Sequence, residues 1–130
     1  MRHLKPLLLA SLMLTSHLTQ AAQWTAVGLF DIGTFYVDTD NITHAGEHHK
    51  AWTLLDYRDP KVHTPTGKQF RSTRMQMEFD CKEQKVRTLS LSYHTGVRLS
   101  GETLSTEGVI GPFEPVPPDT PIFKIMRWVC

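Results

Sequence analysis

The chain has only two cysteines in 130 residues, Cys81 and Cys130, and no second pair to compete for partners. It carries almost no net charge, +1 with histidine neutral. That excludes the strong basic field on which nucleic-acid binding and anionic-lipid binding depend. No Gly-rich phosphate loop is present; Gly96, Gly101, Gly108 and Gly111 are dispersed and fit turns. No serine sits in a Gly-x-Ser-x-Gly frame, so the sequence offers no recognisable nucleophile. Beyond the first 21 residues no apolar run approaches the length needed to cross a bilayer. There is no internal repeat and no low-complexity segment.

The sequence opens with Met1, Arg2 and Lys5, followed by the apolar run Leu7–Leu14 and the small residues Ala21 and Ala22. This is the pattern of a cleaved secretory signal, with Thr19 and Ala21 at the −3 and −1 positions of a cut before Ala22. Residues 1–21 are therefore expected to be a signal peptide and residues 22–130 one domain. Losing Arg2 and Lys5 takes the net charge to −1. An exported chain with one cysteine pair is expected to form a Cys81–Cys130 disulfide. The leader holds no cysteine to carry a lipid, so the expectation is a free protein, periplasmic or secreted, with the cell surface as the alternative.

The dominant period is two, the signature of strands. Met75, Met77, Phe79 and Cys81 share one face of a strand, with Arg74, Gln76, Glu78 and Asp80 on the other. Lys82–Lys85 reads as a turn, and Val86–His94 as the return strand, with Leu89, Leu91 and Tyr93 facing one way. Upstream, Gln23–Phe30, Thr34–Asp38 and Lys50–Tyr57 read as strands. Arg58–Lys68, with Pro60, Pro65 and Gly67, reads as a loop. Ser100–Pro118, rich in Gly and Pro, reads as an extended connecting arm. Only the end is helical: Asp119 or Thr120 can cap, Pro121 suits the first turn, and Ile122, Ile125, Met126 and Val129 make an apolar stripe. The predicted fold is α+β: a single antiparallel β-sheet with a short C-terminal helix packed on one face and tied by the disulfide.

One group of residues suggests a family. Trp24, Tyr36-Val37-Asp38, Trp52-x-Leu54-x-Asp56-Tyr57, Asp80-Cys81, Arg87-x-Leu89, Tyr93-x-x-Gly96, Pro117-Pro118 and Val129-Cys130 occur in an order that resembles the surface-adhesin protein E family of Gram-negative bacteria. The resemblance covers nearly all of the chain after the leader. It implies an exported, non-enzymatic protein of the cell envelope with the same sheet, helix and disulfide. Its implied partners are proteins, host matrix or serum components such as vitronectin and laminin. The namesake is lipid-anchored, and this chain lacks the cysteine for that. No ligand-contact residue transfers position by position.

Other features suggest other functions. His44, His48 and His49 are candidate metal ligands and would support a metal-carrying protein. Gly46 argues against a helix there, and on one extended strand His44 and His48 stand about 13 Å apart. An exposed polar turn is the simpler reading, and no metal or cofactor is expected. An alternative function is inhibition of a host hydrolase such as lysozyme, for which Arg58–Lys68 or Ser100–Pro118 would have to enter a cleft. Sheet edges invite strand addition or a homodimer. Trp24, Trp52 and Trp128 read as core or sheet–helix contacts, and any exposed one becomes a binding anchor.

Overall fold

A computed structural model describes residues 3, 5, 6, 9–13 and 21–130. The expected signal peptide falls mostly outside these. Among the described residues no helix is long and apolar enough to cross a membrane.

Period-two patterning becomes eight strands: β1 (Trp24–Leu29), β2 (Gly33–Asp38), β3 (Thr43–Ala45), β4 (His48–His63), β5 (Lys68–Asp80), β6 (Lys85–His94), β7 (Thr103–Gly108) and β8 (Glu114–Pro115). All pairings are antiparallel. The sheet order is β1-β2-β4-β5-β6-β7, with β3 on β4 and β8 on β6. Among the described residues the one α-helix, α1, runs Pro121–Val129. Thr120 is its N-cap, its hydroxyl accepting from the Phe123 amide at 3.2 Å. Asp119 is instead left-handed, at φ 62°.

The sheet has two unlike faces. On the inner face Phe35 stands opposite Leu55, and Ala51 opposite Met77. Ile125, Met126 and Val129 of α1 pack there with Val37, Phe79 and Val116 to form the core. Cys81 and Cys130 are joined, Cα to Cα 5.7 Å, at the end of β5 and of α1. The helix therefore lies where its apolar stripe predicts, on the Met77–Phe79–Cys81 side.

Three expectations need correction. Arg58–Lys68 is not a loop: β4 continues to His63 and β5 starts at Lys68, with a tight turn at Thr64–Gly67. The pairing jumps from Asp56–Ser72 to Lys61–Phe70, so three extra residues bulge out of β4 around Pro60. A bulge bends its strand and has no need of the amide that proline lacks. The hairpin tip thereby curls over the inner face: Phe70 packs on Tyr57 and Tyr93 at 5.2 and 4.9 Å. His63 lies 4.8 Å from the Tyr93 ring and 3.0 Å from the Ser105 hydroxyl of β7.

Ser100–Pro118 is likewise no simple arm, since β7 and β8 form within it by pairing to β6. A 3-10 turn, Val97–Leu99, stands between β6 and β7. Finally, β6 does not alternate throughout: Leu89 is an extra residue between Ser90–Gln76 and Thr88–Met77, so that Thr88 stands opposite Met77 of the inner face.

Gly33 marks the tightest approach of two strands. A side chain there would collide with the backbone carbonyl of Asp56.

Candidate functional site

Among the described residues no helix lies over the second sheet face; its own side chains cover one another, and Leu54, in its middle, is fully buried. Its cross-strand rows follow from the register. One row is Tyr36, Leu54, Arg74, Ser92, and the next is Trp52, Gln76, Ser90. A third is Lys50, Glu78, Arg87. At one end, Asp56, Ser72 and His94 form a fourth row. The 3-10 turn closes that end. Its Arg98 amide donates to Asp56 Oδ1 at 2.7 Å and its Leu99 amide to Ser72 Oγ at 3.0 Å.

Three arginine guanidiniums sit over three aromatic rings along this face. Arg74 is 3.7 Å from the Trp52 ring centre, Arg98 4.3 Å from Tyr36 and Arg87 4.4 Å from Phe113. Such stacks hold a guanidinium rigid while its edge still offers donors. The three differ in charge balance. Arg87 is neutralised by buried Glu78, its Nε donating to Oε1 at 2.7 Å, and Lys50 approaches the same carboxylate at 3.8 Å. Arg74 has no ion pair among the described residues, and its Nε is buried without a hydrogen-bond partner. Burial holds the Arg74 pKa below its usual value, opposed by the charge of Asp38. The Asp38 carboxylate is occupied by the Gln23 and Asp40 amides at 3.0 and 3.2 Å and by Asn41 at 2.8 Å. Ser90 Oγ, in the adjoining row, is also buried and unpartnered. His94, buried beside them, lies 2.8 Å from Ser92 Oγ and 3.3 Å from Thr103 Oγ1. Desolvation, then the charge of Arg74, lowers its pKa.

The arrangement is a flat, half-polar platform centred on Trp52 and Arg74. A flat face of this kind suits another macromolecule's surface better than a small molecule. A second exposed feature lies across the molecule. Trp128 is 52% exposed and borders a shallow groove with Val27, Lys124 and Arg127. Of the three tryptophans it is the exposed one; Trp24 and Trp52 are half-buried.

The structure sorts the candidate histidines. A two-residue turn at Gly46-Glu47 folds β3 onto β4 and sets His44 opposite His49, not on a common strand with His48. The His44 and His49 rings meet edge to face at 4.3 Å, with their Nδ1 atoms 3.1 Å apart. His48 points to the other side, 3.4 Å from Asp80 Oδ2 and 5.2 Å from the Phe113 ring. The Glu83 amide, aided by His48 and the Lys82 amide, holds the Asp80 pKa below its usual value against desolvation. Sequence reasoning missed the arginine–aromatic platform. Its only legible trace was Trp52 alternating with Leu54, and Arg74 on the polar face of its strand.

The geometry thus defines an open-faced sheet scaffold braced by a disulfide, a class suited to gripping proteins. The chain belongs to the Surface-adhesin protein E family, whose pattern matches residues 24–130. The fold is that of Haemophilus influenzae protein E. One structure of it superimposes with TM-score 0.63 at 13% identity, covering 81% of this chain and 83% of that one. A second crystal form gives 0.61 at 13% identity, covering 74% and 79%. The protein from non-typeable Haemophilus influenzae gives 0.60 at 12% identity, covering 84% and 77%. No curated protein matches the chain. The family is one of surface adhesins.

Proposed function

We propose that the chain is exported after loss of residues 1–21 and works as an adhesin-like protein whose open sheet face grips a partner protein. The observation that carries this is the Trp52–Arg74 pair on the face that α1 leaves free, with the guanidinium carbon 3.7 Å from the ring centre and no ion pair to Arg74 among the described residues. A carboxylate on a partner would supply the counter-charge that Arg74 lacks. Tryptophan and arginine are also the residue types that concentrate binding energy at protein interfaces. The favoured partner surface therefore carries acidic side chains beside apolar ones. Host matrix or serum proteins are the partners that family membership favours. Of the segments suggested for a cleft-entering inhibitor, Arg58–Lys68 is mostly strand, Ser100–Pro118 holds β7 and β8, and no observation favours that alternative.

The test is binding of the purified chain to immobilised vitronectin and laminin. Trp52→Ala and Arg74→Ala are each expected to weaken binding about tenfold or more. Trp128→Ala, on the opposite surface, is expected to leave it unchanged. A correctly folded Trp52→Ala/Arg74→Ala variant that binds like the parent overturns the assignment of the face. Absence of binding by the parent overturns the adhesin reading itself.

A further inference from the structure

The β3–β4 hairpin tip lies against the disulfide. The ligand atoms of His49, Cys81 and Cys130 all fall within 4.8 Å of one another. His44 adds a fourth donor, its Nδ1 3.1 Å from His49 Nδ1. Tetrahedral zinc with bonds of about 2.0–2.3 Å spaces two nitrogens about 3.3 Å apart and two sulfurs about 3.8 Å apart. The His49, Cys81 and Cys130 donors thus stand up to about 1 Å wider than that geometry, and His44 joins them through His49, whose Nδ1 faces the Val129 carbonyl at 2.8 Å while the disulfide is closed. The convergence is built by the fold: Cys81 ends β5, Cys130 ends α1, and His44 and His49 face each other across a tight turn.

We propose that His44, His49, Cys81 and Cys130 form a redox-gated zinc site. With the S–S bond intact, neither sulfur is a thiolate, and the site is shut. A dithiol reductant opens it by donating two electrons and two protons. The S–S bond breaks, two thiols form, and the reductant becomes a disulfide. Zinc then displaces the two thiol protons and binds both thiolates. Access is direct, since Cys130 and His44 are exposed. The helix stays seated meanwhile, because Ile125, Met126 and Val129 remain buried in the core. The ion would then hold α1 to β5 where the disulfide had held it.

The experiment adds cobalt(II), then competing zinc, to the purified chain before and after dithiol reduction, and reads the visible spectrum. Reduced protein is expected to show the intense bands of tetrahedral, thiolate-bound cobalt at one ion per chain. Zinc should abolish them and raise the melting temperature of the reduced form only. His49→Ala is expected to weaken metal binding at least tenfold, with both thiols still titratable. Reduced protein that shows no tetrahedral thiolate spectrum overturns the proposal. So does a His49→Ala variant that binds as tightly as the parent, since the cysteines alone would then suffice. Should reduction loosen the chain, the spectrum still decides, because it reports the ligand set directly.

Discussion

His94 shows how a single side chain ties the open face to pH. It is buried, neutral and held between Ser92 and Thr103, and its folded pKa lies below the unfolded value. Between those two values the unfolded chain binds a proton that the folded chain refuses, so stability falls as pH drops through that window. Above the unfolded value near 6.5 the contribution is complete. Asp80 acts in the same direction at lower pH: its depressed carboxyl pKa contributes stability that is lost as pH falls below the usual carboxylate range. Thermal melts from pH 7.5 to 5 should therefore show a falling melting temperature. In His94→Gln the slope over that range should be visibly shallower, with any uniform offset reflecting packing. An unchanged slope would assign the acid sensitivity elsewhere.

At the scale of elements, the bulge in β4 does most to shape the molecule. Three residues more on β4 than on β5 turn the far hairpin inward. Its tip and α1 then share the task of covering the inner face, which α1 alone is too short to do. Phe70 is the contact that holds the tip down, between Tyr57 and Tyr93. Phe70→Ala should cost about 3 kcal/mol. Hydrogen exchange should rise across residues 61–70, while residues 51–56 stay protected. Uniform acceleration along the whole of β4 would mean that tip and body open as one unit.

The elements were unequally legible. The Met75–Cys81 alternation and the Ile122–Val129 stripe read correctly because burial on one side imposes its own period. Ile122 is only half-buried, so the stripe is narrower than its spacing suggests. The far hairpin was hidden by Pro60, Pro65 and Gly67, which break regular strands but are at home in a bulge and a turn. β7 was hidden because Thr-Leu-Ser-Thr-Glu-Gly buries no alternating face. Its order comes from backbone pairing with β6. The break in alternation at Leu89 was hidden because a one-residue bulge leaves no mark on composition. The Trp52–Arg74 platform depends on the register between two strands, which no single segment encodes.

For the whole molecule, the Cys81–Cys130 link closes a 49-position span, for which chain entropy gives about 4 kcal/mol. A Cys81→Ser/Cys130→Ser variant should lose up to that amount in denaturant melts. Exchange protection should fall first in α1, and the Trp52–Arg74 face should keep its binding. A variant as stable as the parent would make the link structurally idle.

That same link also decides what a protease can achieve. The span it closes contains β6, β7, β8 and α1, and its most exposed apolar stretch is Val109–Ile110. A cut there severs the backbone but releases nothing, because the fragment carrying α1 remains bound to β5 through sulfur. The nicked protein should run at full mass until reduced, then separate into two pieces. In a protease-rich setting outside the cell, the bond makes the first cut in this span harmless.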